Sequence, residues 1–266
     1  MSKNRSKAAL LGPKIVREAT LADLMDKELF DQGELEVLQG IVRHSVICKL
    51  DAKQRLYPTR EEVNYVYVIH TGYVALWLTS SFSNMGENFL AWRGPGQILG
   101  EMRAVGSGPT TIRIVACEPC ELIQIRKDAF TDAADISQRI YRNIARLLIK
   151  KMEHERCRSE IIRMSPASRQ VAQTLLHLAH ERRGETEYAA WNEIAIPGRI
   201  HQDEIGGYIG GTRVTVNREL TKLKTKNLIA YDKSQRGCAI TILDREELET
   251  VARNASQRPR KKTRTT

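Results

Sequence analysis

Three textures of apolar and polar positions follow one another along the chain. From 45 to 126 the apolar residues come in short runs: "SVICKL", "VYVIHTGYVALWL", "NFLAW", "IRIVA" and "ELIQIR". Turn-forming stretches at Asn84 to Gly86, Arg93 to Gly96 and Gly106 to Pro109 separate them. Short strands with this punctuation predict an antiparallel sandwich or barrel. His70, Thr71 and Gly72 fall between two strand-like runs and predict a tight hairpin, with Gly72 free to take positive φ. Ahead of this region, Leu21, Leu24, Met25, Leu35 and Leu38 predict helix over 20–42, interrupted near Asp31 to Gly33.

The second texture is a stretch without Gly or Pro over 134–163, where Ile136, Ile140, Ile144, Leu147, Leu148 and Met152 recur at intervals of three and four. That spacing puts them on one helical stripe. A lone helix cannot bury such a stripe. Its partner is either the chain's own β region or the same helix of a second copy, and the resemblance of the stripe to a coiled-coil seam favours the second copy.

The third texture begins at Ser165 and Pro166, an N-cap followed by proline at the first helical position. The helix they open keeps Val171, Leu175, Leu176 and Leu178 inward and stops before Gly184; "NEIAIPG" then reads as a short strand. Residues 201–224 read as two helices about a tight turn. Ile205 and Ile209 face inward on the first, Gly206 permits close approach, and Gly210 or Gly211 supplies the positive φ of the turn. Thr212 caps the second helix, whose inner face carries Val216, Leu220 and Leu223. A hairpin around Ser234 to Gly237 follows, which makes the unit a winged helix. A polar helical stretch then leads to the tail "RPRKKTRTT".

Composition narrows the partner. The 266 residues carry a formal charge of +10, which favours a polyanion. Basic residues crowd both ends, Lys3, Arg5, Lys7, Lys14 and Arg17 at one and the tail at the other. Five scattered cysteines, an odd number, suit free thiols in a reducing cytoplasm. Cys117 and Cys120 form a CxxC without a second Cys/His pair at zinc spacing, so a structural role is expected. No phosphate-binding glycine loop, zinc-protease pair or nucleophile elbow is present, and an enzyme is not expected. No apolar stretch reaches the roughly 20 residues needed to cross a bilayer.

The outer face of the second helix has chemistry for reading DNA. Arg213 can donate two hydrogen bonds to guanine O6 and N7 in the major groove. Val214 offers an apolar contact, for example to a thymine methyl. Asn217 suits adenine or phosphate, Arg218 base or phosphate, and Thr212 with the helix N-terminus suits a phosphate oxygen. Gln202 at the start of the preceding helix completes the DNA-binding set.

In "IGGYIGGTRVTVNREL", "VAQTLLHLA" and "KNLIAYDK", with "VYVIHTGYVALW" and "QILGEM" ahead of them, the chain resembles the catabolite-activator and fumarate-nitrate-regulator (Crp/Fnr) superfamily of bacterial transcription regulators over about 20–245. The resemblance implies an α+β chain of five parts. A basic arm spans 1–19, and a cyclic-nucleotide-binding-like β-roll effector domain, a double-stranded β-helix, spans 20–133. A dimerisation helix and hinge at 134–164 lead to a winged helix-turn-helix at 165–245 and a basic tail at 246–266. Arg213 falls on the family's guanine-reading arginine, and Arg218 on a second base- or phosphate-contacting arginine. Val214 replaces a glutamate that accepts from cytosine N4, so the half-site should differ. "TRVT" is similar to the nitrogen-control branch. Glu219 takes a position that is usually apolar.

In the roll, the resemblance implies effector contacts at Gly100, Glu101, Met102, Thr110, Thr111, Arg113, Lys151 and Met152. Gly100 to Met102 keep the first half of the family's nucleotide cassette. Thr110 and Thr111 lack the arginine that grips a cyclic phosphate, and Arg113 or Arg103 is a candidate substitute. Lys151 and Met152 stand where nucleotide-binding members carry hydroxyl residues. The expectation is therefore a cytoplasmic homodimer that binds palindromic double-stranded DNA and meets RNA polymerase at promoters. Control by cyclic AMP in the usual way is not expected, and no cofactor is assigned. Two other readings stay open: an effector-independent or architectural DNA-binding protein, and a regulator answering another small molecule in the β-roll.

Overall fold

A computed structural model describes residues 13–25, 27–31, 33–56, 64–79, 87–105, 111–234 and 237–253. The turns expected at Asn84 to Gly86 and Gly106 to Pro109, most of the basic arm and the last residues of the tail lie outside these.

The N-terminal strands form two antiparallel sheets. One has the order β1-β2-β8-β3-β6, from β1 (Lys14–Glu18), β2 (Ser45–Leu50), β3 (Tyr65–Thr71), β6 (Ile98–Leu99) and β8 (Cys120–Arg126). The other is β5-β4-β7, from β4 (Val74–Thr79), β5 (Glu87–Arg93) and β7 (Ile112–Ala116). Strand alternation gives the larger sheet two apolar faces. Ile47, Val66, Val68, Ile123 and Ile125 point towards helices, while Cys48, Leu50, Tyr67, Ile69 and Leu122 point towards the smaller sheet.

The hairpin expected at His70 to Gly72 is not formed. β3 pairs with β8 and β6, whereas β4 pairs with β5 and β7, so the chain changes sheets there. Gly72 has φ +83°, and a Cβ on it would lie 2.7 Å from Pro119 O. Close approach of the β7–β8 turn, rather than a two-residue hairpin, explains that glycine. The end of the expected arm is also drawn in, as β1 pairs with β2 and Arg17 holds Asp23 at 2.7 Å.

Helices α1 (Leu21–Met25) and α2 (Leu35–Val42) flank a 3-10 turn at Glu28–Phe30, matching the interrupted helical pattern. After α3 (Glu101–Val105), the helix expected from 134 divides into α4 (Lys127–Ile136) and α5 (Gln138–Arg163). Ser137 makes the break: its hydroxyl accepts from Ile140 N and donates to the Glu34 carboxylate. The expected stripe divides too. Ile140, Ile144 and Leu147 are buried in the β-roll's own core, and Ile136 belongs to α4. Tyr141, Leu148, Ile149 and Met152 remain exposed along α5. Tyr141, Leu148 and Met152 stand at i, i+7 and i+11, a seam spacing.

The C-terminal part comprises α6 (Ala167–Arg183), α7 (Glu185–Ala190), β9 (Ile194–Ile200), α8 (Gln202–Ile209), α9 (Arg213–Thr225), β10 (Ile229–Ser234), β11 (Gly237–Ile242) and α10 (Arg245–Arg253). β11 lies between β10 and β9 in one antiparallel sheet. Pro166, not Ser165, is the N-cap of α6, and it makes no side-chain capping bond. Gly184, at φ +80°, ends that helix as expected. α10 extends the domain past the expected boundary at 245. Leu248 and Ala252 are buried, and Arg169 Nε donates to Ala252 O at 2.9 Å.

The two parts share one apolar cluster, in which Tyr73, Phe89 and Trp92 of the β-roll join Val171, Leu175, Ile205 and Tyr208. The guanidinium of Arg158 on α5 ties them together, donating to Phe89 O and Leu90 O on β5 and to Gly207 O and Tyr208 O on α8.

Candidate nucleic-acid interface

The local chemistry of α8 and α9 follows the sequence pattern closely. Gly210 ends α8 at φ +69°, the left-handed conformation that turns the chain without a Cβ clash. A Cβ on Gly206 would stand 3.2 Å from Gly211 O and 3.3 Å from Thr212 C, so a residue without one suits the close approach of the turn to α8. Thr212 caps α9, its hydroxyl oxygen accepting from Thr215 N at 3.2 Å. Val216, Leu220 and Leu223 are buried beneath the helix.

On the opposite side Val214 is 79% exposed. Its methyl groups are open to an apolar contact from outside the chain. Arg213 is exposed too, with its guanidinium 3.7 Å from Asp203, an equally exposed carboxylate on α8. Gln202 Nε2 donates to Asn217 Oδ1 at 3.3 Å, which joins the starts of the two helices. Arg218 Nε donates to Glu219 at 3.0 Å. The structure thus brings Gln202, Thr212, Arg213, Val214, Asn217 and Arg218 together along α9 and the start of α8. Glu219 does lie on the inner side, buried, with Lys222 as a second cation.

The expected effector residues are not gathered in the same way. Gly100, at φ +87°, turns the chain into α3 and presents the buried carboxylate of Glu101. Lys151 Nζ fills the space beside it, donating to Glu101 Oε1 at 2.6 Å and to Ile98 O at 2.9 Å. Burial pushes the Lys151 ammonium below its ordinary pKa, and Glu101 opposes that shift. Met102 and Met152 both point outward and are among the most exposed apolar residues. For Met152 the reason is helical phase: α5 turns its Lys151 side to the roll and its Met152 side to solvent. Arg113 lies opposite Trp77 in the β4–β7 register, with its guanidinium 5.3 Å from the indole centroid. Strand alternation sets it over that ring as a cation–π contact, not at Glu101. Thr111 is half-buried ahead of β7. Thr110 lies outside the described residues.

The CxxC is structural in character. Cys117 and Cys120 are buried free thiols, and Cys120 Sγ donates to Tyr73 O at 3.3 Å. Burial pushes the Cys120 thiol up to about 12 and raises the Cys117 thiol well above its ordinary value. Among the described residues no cluster of His, Cys, Asp or Glu suits a metal ion. Among them, too, no helix is long and apolar enough to cross a membrane.

Two residues escaped the sequence pattern altogether. Trp92 Nε1 donates to Glu204 Oε2 at 2.8 Å, a buried bond between β5 and α8. Glu204 reads in sequence as an ordinary acidic residue in a helix's first turn, and nothing local in either segment indicates the other.

Comparison with known proteins agrees with this architecture. Residues 47–137 match the cyclic nucleotide-binding domain, and residues 169–251 match the Crp-like helix-turn-helix domain. The chain belongs to the Crp/Fnr superfamily. It is 24% identical over 184 residues to the cyclic AMP receptor protein of Thermus thermophilus, covering 66% of this chain and 79% of that one. It is 28% identical over 171 residues to the CRP-like cAMP-activated global transcriptional regulator of Mycobacterium tuberculosis, covering 63% of this chain and 71% of that one. The solved structure of FixK2 from Bradyrhizobium japonicum is similar in fold, with a TM-score of 0.62 and 21% identity, over 80% of this chain and 99% of that one. This Crp/Fnr protein is a transcription regulator whose DNA-binding element is the helix-turn-helix of α8 and α9.

Proposed function

We propose that this Crp/Fnr protein acts as a cytoplasmic homodimer that reads a palindromic site, with α9 of each subunit entering successive major grooves about one helical turn apart. One observation supports this reading most: the Thr212-capped start of α9 presents Arg213, exposed Val214 and Asn217 side by side on its outer face. Arg213 reads a guanine, and Thr212 with the helix N-terminus takes a phosphate. Val214 cannot accept from cytosine, so the half-site departs from that of glutamate-bearing relatives. The exposed Tyr141, Leu148 and Met152 of α5 form the dimer seam. The basic residues at both ends of the chain add salt-dependent affinity, and RNA polymerase is the partner at promoters.

The β-roll does not answer cyclic AMP in the usual way. Lys151 already engages Glu101 at 2.6 Å, so a ribose hydroxyl would have to displace a buried ion pair. A second reading, a different small molecule in the roll, is favoured by the same pair, because a ligand that engages Lys151 would release Glu101.

Site selection from random DNA tests the main reading. The wild type should return an inverted repeat with and without cyclic AMP. Arg213→Ala should lose discrimination at one guanine per half-site, at about 1–3 kcal/mol, while non-specific binding persists. An unstructured pool would point to an architectural binder instead. Tightening by cyclic AMP would overturn the effector reading alone.

A further inference from the structure

We infer that Glu219 makes Arg218 a phosphate contact rather than a base contact, so that base discrimination in each half-site rests on the Arg213 side of α9. The inference depends on α9 being the DNA-reading helix.

Successive residues of a helix are turned by about 100°. Val214 and Arg218 are therefore only about 40° apart, and by position alone Arg218 is a shoulder residue that can serve either base edge or backbone. Glu219 lies about 140° from Val214, on the far side of Arg218. Its side chain is only 4% exposed. A carboxylate taken out of water must be compensated by charge or hydrogen bonds. Arg218 and Lys222 both meet it: Arg218 Nε donates to Oε1 at 3.0 Å, and Lys222 Nζ donates to Oε1 at 2.9 Å and Oε2 at 3.1 Å. The bond at Nε holds the guanidinium on the Glu219 side of the helix, at the carboxylate that Lys222 shares.

The setting of that bond favours a phosphate. Arg218, Lys222 and Lys226 recur every four residues and line one open groove between α9, the start of α6 and α10. A row of cations along α9 and its C-cap, with net positive charge even after Glu219 and Glu247 are counted, matches the regular negative charge of a sugar–phosphate strand. It matches base edges poorly, because these call for one fork aimed at one pair. An apolar residue at 219 would leave Arg218 free to swing towards Val214. Glutamate removes that freedom.

The test is site selection combined with salt-dependent binding for the full chain and five variants. Arg218→Ala should return the wild-type half-site unchanged, with every sequence bound more weakly by a similar factor. The slope of log affinity against log salt should fall in magnitude by about 1. Glu219→Leu should add a base preference that disappears again in the Glu219→Leu, Arg218→Ala double variant. Glu219→Gln keeps the side-chain shape and should show a weaker form of the same gain, which covers the case where leucine disturbs folding. Loss of one base preference in Arg218→Ala, or an unchanged site in both Glu219 variants, would overturn the inference. Arg213→Ala in the same selection separates the two levels. If wild type returns no motif, the DNA-reading proposal falls with this one. If the motif depends on Arg213 and also loses a position in Arg218→Ala, only this inference falls.

Discussion

Trp92 and Glu204, 112 residues apart in sequence, meet in a buried 2.8 Å hydrogen bond that joins the β-roll to the first helix of the helix-turn-helix. The same carboxylate oxygen accepts from His201 N at 2.9 Å, at the N-terminus of α8. Glu204 Oε1 is 3.6 Å from the Cys117 sulfur on the β-roll side. One side chain thus holds the start of α8 and docks it to the other domain. Around it, Tyr208 packs on Trp92 with ring centroids 5.1 Å apart, and Arg182 lies 4.1 Å from the Tyr73 ring centroid. Strand β5 of the β-roll and helix α8 of the helix-turn-helix are therefore in direct contact.

Trp92→Phe keeps an aromatic ring and removes the donor. It should lower the unfolding free energy by about 1–3 kcal/mol, because a buried carboxylate loses a partner. Gly207→Ala should act on the same junction, since a Cβ there would stand 2.5 Å from Phe89 Cβ with no room to move. Chemical denaturation followed by tryptophan fluorescence and by circular dichroism measures both. An unchanged midpoint for Gly207→Ala would mean that the domains are not docked this way in solution.

The exposed seam of α5 predicts the assembly. Leu148→Glu combined with Met152→Glu places charge where apolar side chains face solvent in the isolated chain. The β-roll core, which uses Ile140, Ile144 and Leu147, is left intact. Light scattering should show the wild type at twice the chain mass and the double variant at one chain mass, with helix content preserved. A variant that stayed dimeric would place the interface elsewhere.

His177 should make stability depend on pH near neutrality. It lies largely buried on α6 against His154 of α5 and Tyr208 of α8, and desolvation lowers its pKa from the ordinary 6.5. Glu181 on the same helix opposes that shift, while His154 across on α5 and His180 add to it. A folded pKa below the unfolded one means that the unfolded chain binds more protons. The stabilising contribution is therefore full above about pH 6.5 and is lost as pH falls through the folded pKa. Urea midpoints between pH 8 and pH 5 should fall for the wild type and fall less for His177→Gln. Equal slopes in the two proteins would remove His177 from the account.

What could be read from the chain differs from element to element. The turn and cap of the helix-turn-helix were legible because their signals are local. Gly210 must take positive φ, Thr212 must offer an oxygen to a free N–H, and Val216, Leu220 and Leu223 repeat at the helical period. The sheets were legible as strands but not in their pairing. His70 to Gly72 carries a hairpin's composition, yet β3 pairs with β8 and β6 while β4 pairs with β5 and β7, partners that the local run does not name. The stripe over 136–152 was legible as helical and misassigned as one face, since periodicity cannot say which neighbour covers which residue. Gly100 and Glu101 were legible only as a likeness to the family's cassette, and packing alone shows that α5 brings Lys151 to that carboxylate.

The sequence by itself determined the turn, the cap and the apolar faces of the helix-turn-helix, all of which depend on residues within a few turns of one another. Tertiary structure alone decided the Lys151–Glu101 pair, the Trp92–Glu204 bond and the division of the α5 stripe between core and solvent. Those depend on a buried charge or an apolar face finding its partner across 50 or more residues, a pairing that no local pattern encodes and that packing and desolvation settle together.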